Sequence, residues 1–113
     1  MASGVIRNNH YLDVTPSSDS YDSNLIDVLC IRSSNIYTAS LKIKAGALSR
    51  GSNTFSFPTN VNYVNNPCVA FYSRDINDMD KVFTGRANNN NLYVRASASN
   101  TESVEVAIIG VIT

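Results

Sequence analysis

Apolar and polar residues alternate with a period of two through most of this chain, and the alternation breaks at clusters of Asn, Ser and Gly. The runs NHYLDV, NLIDVLCIRS, NIYTASLKIKA, NTFSF, PCVAFYSR, KVFTG, NLYVRASA and SVEVAIIGVIT are rich in β-branched and aromatic residues, so the pattern predicts about eight short strands. Between Ile36 and Ala45 the residues Tyr37, Ala39, Leu41 and Ile43 share one face, and Thr38, Ser40, Lys42 and Lys44 share the other. That strand should be half buried. Two other strands are apolar on both faces. In the first, Ile26, Val28 and Cys30 oppose Leu25, Leu29 and Ile31. In the second, Val104, Val106, Ile108 and Ile112 oppose Ala107, Ile109 and Val111. In a two-layer sandwich only one face of each sheet packs inward, so the second apolar face needs another partner. The expected partner is a copy of the same chain, with Ala107, Ile109 and Val111 as the oligomer interface, and burial within a more elaborate monomeric fold is the alternative.

No window of helical length carries apolar residues at i, i+3, i+4 and i+7, and at most one helical turn is expected, near Ser17 to Asp22. Turns are expected at 15–20, 33–35, 49–53, 65–67 and 88–91, where Asn, Ser, Gly and Pro collect; Asn88 to Asn91 reads as a hairpin loop. With 113 residues there is room for a single domain, residues 1–113, in which 1–24 form an N-terminal strand and polar loop. The expected fold is all-β, a small antiparallel β-sandwich of jelly-roll or lectin-like type.

Composition narrows the function classes. A formal net charge of +0 with 16% charged residues argues against generic nucleic-acid binding, which needs clustered Lys and Arg. No stretch has signal-peptide character or the length to span a bilayer, so a chain made in the cytoplasm and not inserted in a membrane is expected. Cys30 and Cys68 lie in the apolar runs VLCI and CVAF and are read as buried thiols in preference to a disulfide.

Catalytic and metal signatures are missing. His10 stands alone in a polar segment, and there is neither a G-x-S-x-G elbow, a phosphate-binding glycine loop nor a metal-type cysteine pair. The acidic run Asp75 to Asp80 departs from the EF-hand pattern, because Met79 replaces a ligand, the glycine is missing and Arg86 stands where the closing glutamate belongs. It reads as a solvated loop tip, with calcium chelation in another geometry as the competing reading. A non-enzymatic chain without cofactor or metal is expected.

Two Tyr-x-Arg repeats point instead to binding. Tyr72 and Arg74 alternate with the apolar Val69 and Phe71, and Tyr93 and Arg95 alternate with Leu92, Val94 and Ala96, so all four should face outward. If their strands are neighbours, they make one patch. Tyr and Arg offer stacking surface and planar donors suited to sugar hydroxyls, carboxylates or phosphates, and equally to a subunit contact. The candidate ligand site is therefore Tyr72, Arg74, Asp75, Asn77, Asp78, Tyr93 and Arg95.

From Asn35 onward the order SNIYTASLKIKA, ALSRGSNTFSFP, NNP, NNNNLYVRA and terminal SVEVAIIGVIT resembles the C-terminal heads of tailed-bacteriophage tail fibres and receptor-binding (baseplate) proteins, and is similar to H-type lectin domains. The resemblance implies a trimeric β-sandwich at a virion tail tip, with a bacterial cell-surface glycan and other tail proteins as partners. A fibre shaft is not implied, because collagen-like and heptad repeats are absent. A structural virion protein (decoration or tail assembly) and a non-viral lectin or tumour-necrosis-factor-like trimer are the alternative readings.

Overall fold

In the computed structural model, residues 21–73 and 76–113 are described together with the backbone of 5–7 and 10–12. Among the described residues nine strands form: β1 (Val5–Arg7), β2 (His10–Leu12), β3 (Leu25–Ser33), β4 (Ile36–Ile43), β5 (Gly51–Ser56), β6 (Cys68–Ser73), β7 (Phe83–Ala87), β8 (Asn91–Ala96) and β9 (Val104–Val111). All eight expected strands are present, and β1 is additional. The segment Thr15 to Ser20, with most of the expected helical turn, lies outside the described residues. A short 3-10 turn at Ile76–Asp78 was not expected.

The strands sort into a six-stranded sheet, β1-β2-β3-β4-β9-β6, and a three-stranded sheet, β5-β8-β7. Every pairing is antiparallel except β2 with β3. The chain builds the β3–β4 hairpin, crosses to β5, returns at the edge strand β6, crosses again for the β7–β8 hairpin, and closes by inserting β9 between β4 and β6. The fold is an all-β sandwich whose two inner faces supply the core.

Alternation holds where it was read. Tyr37, Ala39, Leu41 and Ile43 from β4, Leu92, Val94 and Ala96 from β8, and Val104, Val106 and Ile108 from β9 are buried, with Ile112 just beyond β9. Burying an aliphatic or aromatic side chain of this kind stabilises by about 1.5–3 kcal/mol, which fixes the register, because a one-residue slip would expose the whole set. One strand departs from simple alternation. Between Ile26 and Leu29 the β3–β4 register shifts, and Asp27 takes a positive φ of 52°. The bulge places two residues of β3 opposite one of β4 and inverts the parity, so Leu25 is buried together with Val28 and Cys30, and Ile26 is only half buried. The expected grouping of Ile26 with Val28 and Cys30 is corrected accordingly.

Two glycines allow close approaches in this core. A Cβ at Gly110 would lie 2.7 Å from the Tyr63 ring, whose centroid is 6.0 Å from that of Tyr37 in an edge-to-face pair. A Cβ at Gly85 would lie 2.6 Å from Phe71 Cζ and 2.7 Å from the Tyr93 carbonyl. Cys30 is buried as expected, with burial pushing its thiol up, but Cys68 is exposed. The correction follows from geometry: Cys68 stands at the start of edge strand β6 with the same parity as Ala70 and Tyr72, on the outer face.

Two buried polar side chains clamp the connection between β8 and β9. Asn100 accepts from the Leu48 amide (3.1 Å) and donates to the Lys44 and Glu102 carbonyls (3.0 and 2.7 Å), joining that connection to the β4–β5 link. Asp78 does the same for the β6–β7 link, as described below.

Candidate functional site

Strand parity and sheet membership decide where the candidate residues go. Tyr72 lies on β6, at the edge of the large sheet, and Tyr93 and Arg95 lie on β8, the central strand of the small one. Because the inner faces of the two sheets pack together, their outer faces point in opposite directions, and the two Tyr-x-Arg repeats do not form one patch. Arg74 and Asp75 lie outside the described residues. Asn77 is exposed in the 3-10 turn.

Asp78 is neither a solvated loop tip nor an available ligand; its side chain has 0% exposure. Lys81 Nζ donates to its Oδ1 at 2.6 Å, the Thr101 hydroxyl at 2.5 Å, and the Thr101 and Glu102 amides at 3.0 and 3.2 Å, with the Ser73 hydroxyl at 3.3 Å. Burial by itself would push the carboxyl up. The Lys81 ammonium and the donors of Thr101 and Glu102 outweigh it and hold the group well below the usual carboxylate range. Both oxygens are engaged within the chain, so Asp78 acts as a structural clamp. Among the described residues no group of three His, Cys, Asp or Glu side chains is placed to hold a metal ion, and His10 has no described side chain.

The outer face of the small sheet carries a coherent chemistry. Register sets Thr54, Tyr93 and Arg86 in one cross-strand row and Ser52, Arg95 and Thr84 in the next. These residues line a groove of about 330 Å³. The Arg86 guanidinium carbon lies 5.8 Å from the centre of the Tyr93 ring, within cation–π range. The Tyr93 hydroxyl accepts from Asn88 Nδ2 and Asn91 Nδ2, each at 3.3 Å. Asn88 is itself fixed by the hairpin expected at 88–91, its Oδ1 accepting from the Asn90 and Asn91 amides at 2.9 and 2.8 Å. Neither Arg86 nor Arg95 has a carboxylate partner among the described residues. Sequence reasoning missed Arg86 by ending its strand at Gly85. The parity of Phe83, Gly85 and Ala87 would have turned Arg86 outward.

The outer face of the large sheet differs in kind. Ala107, Ile109 and Val111 are exposed there, Ile109 by 51%, and the ladder sets them beside Ser40, Thr38 and Ile36 of β4. Leu29 and Ile31 of β3 and Cys68 and Ala70 of β6 complete the rows. The patch is apolar on β3, β9 and β6, with the Thr38 and Ser40 hydroxyls of β4 among the apolar side chains, and Lys42 and Glu105 stand together on its border row with Tyr72. No helix of the described residues is long and apolar enough to cross a membrane.

Comparisons of the chain with protein-family models, with curated proteins and with solved structures find no match.

Proposed function

We propose that this chain is a non-enzymatic binding module that works as a homo-oligomer, a trimer by resemblance, and recognises a bacterial surface saccharide as the head of a virion tail or baseplate protein. One observation carries the reading: the two outer faces differ in chemistry, mainly aliphatic on the large sheet, where Leu29, Ile31, Ile36, Ile109 and Val111 are exposed, and hydroxyl, tyrosine and arginine without an exposed aliphatic cluster on the small one. The first suits burial against a copy of the same chain, since contiguous exposed apolar side chains mark association surfaces. The second suits a polar ligand, which Tyr and Arg bind by stacking and planar hydrogen bonding.

Light scattering at micromolar concentration should return an oligomer mass, and the assembled protein should bind host cells and a subset of glycans on an array. A monomer mass refutes the assembly half of the proposal, and silence in both binding assays refutes the ligand half. A structural virion protein is the second reading, favoured by Ile76, Met79 and Val82, which are 76%, 74% and 61% exposed around the β6–β7 connection and would suit contact with another protein. Incorporation into particles without any cell or glycan binding would select it.

A further inference from the structure

The groove on the small sheet defines its ligand more closely than its residue types alone. We infer that it takes a carboxylate-bearing saccharide, whose acid group lies between Arg86 and Arg95 and whose hydroxyls meet Ser52, Thr54 and Thr84. This rests on the binding-module reading above and names its ligand class.

Arg86 and Arg95 are diagonal neighbours on adjacent antiparallel strands, since Arg86 pairs with Tyr93 and Arg95 with Thr84. Diagonal pairs stand about 7–8 Å apart at the backbone, a separation from which two long side chains can converge on one small anion. A guanidinium presents donors in a fixed fork that matches a carboxylate, and charge-assisted bonds of this type are the stronger ones. Arg86 is already positioned by the Tyr93 ring, and Tyr93 by Asn88 and Asn91, so part of the ordering cost of binding is met before the ligand arrives. No acidic residue among the described ones lines the groove to compete for the two cations.

The surroundings select among anions. A nucleic acid or other dense polyanion needs a track of cations, whereas this groove has two arginines in a chain of net charge +0. An acidic peptide added to a sheet needs an open strand edge, and this groove crosses β8, whose backbone is paired on both sides. What the walls offer is hydroxyls, one strand spacing (about 4.8 Å) to either side of the Tyr93–Arg95 strand. Hydroxyls flanking a pair of cations match an acidic sugar.

The test uses the purified chain on an array carrying oligogalacturonate and other uronic-acid oligosaccharides beside their neutral counterparts, with poly-glutamate and inorganic phosphate as competitors. Uronic-acid glycans should bind in preference to neutral ones. Arg86→Ala and Arg95→Ala should each weaken that binding roughly tenfold or more while leaving the melting temperature unchanged, and Arg95→Lys should restore part of it. Neutral glycans bound equally well, with the arginine variants unaffected, would overturn the acidic class and leave the binding-module reading standing. Displacement by poly-glutamate or phosphate as effective as by free oligogalacturonate would also overturn it, since the hydroxyls would then contribute nothing. No saccharide of either kind bound would remove both readings.

Discussion

Replacing Asp78 by alanine strips the acceptor from a buried cluster that ties the β6–β7 link to the β8–β9 connection. The Thr101 and Glu102 amides, the Thr101 hydroxyl and the Lys81 ammonium lose their partner. A donor left unpaired in the interior costs about 1–3 kcal/mol, and removing one member of a buried ion pair about 3–5 kcal/mol. The cluster lies just beneath the surface, where the Lys81 side chain is 18% exposed, so water re-pairs part of what is lost. The expected loss is about 2–4 kcal/mol, a large share of the 5–15 kcal/mol on the order of which such domains are stable. For a chain of this length that is a fall of roughly 10–20 °C in Tm. Urea unfolding at pH 7 should show it as a lowered midpoint at unchanged m-value, and Asp78→Asn, which keeps one carbonyl oxygen, should lose less.

The same group gives the domain an acid limb. Its carboxyl is held below the ordinary aspartate value of 3.8, so the unfolded chain takes up this proton more readily than the folded one. The stabilisation is complete above about pH 5 and drains away as pH falls through 3.8 toward the depressed folded value. Asp78→Asn should flatten that limb, and Asp80→Ala, at an exposed neighbour, should leave stability at pH 7 within about 0.5 kcal/mol of the parent. A loss below about 1 kcal/mol for Asp78→Ala, or an unchanged acid limb in the Asn variant, would refute the assignment of Asp78 as a clamp.

Other residues give shorter tests. Gly85→Ala must push Phe71 or the β8 backbone aside to relieve contacts of 2.6 and 2.7 Å, and should cost about 1–3 kcal/mol by thermal melting, with a smaller loss counting against the packing described. With the oligomer dissociated by Ile109→Lys, the folded chain should react with a thiol reagent at Cys68 alone and at both cysteines once denatured, because Cys30 is buried with its thiol pushed up; fast labelling of Cys30 before denaturation would contradict this. Ile109→Lys, at a position 51% exposed, should convert the oligomer to a folded monomer in light scattering, with the strand signal in circular dichroism kept, and an intact oligomer would move the subunit contact elsewhere.

Much of the sandwich was legible without coordinates because a strand's side chains alternate strictly, so apolar parity names the buried face of β4, β8 and β9 residue by residue. The Asn88 to Asn91 hairpin was legible for a similarly local reason, the carboxamide bonding its own main chain. Parity failed where the backbone changed it: the bulge at Asp27 inverts β3, and no apolar pattern announces a positive φ at an aspartate.

What tertiary structure alone decided is which strands share a sheet. Two identical Tyr-x-Arg repeats carry identical local information, yet β6 borders β9 and β8 lies between β5 and β7, so the tyrosines end on opposite sides of the sandwich and Arg86 replaces Tyr72 beside Tyr93. Asp78 is the same lesson in charge: in sequence it stands in an acidic run, but donors from a segment more than twenty residues away close over it. Alternation is a property of one strand and survives in the sequence. Pairing and enclosure depend on contacts between distant segments, which one strand's pattern does not record.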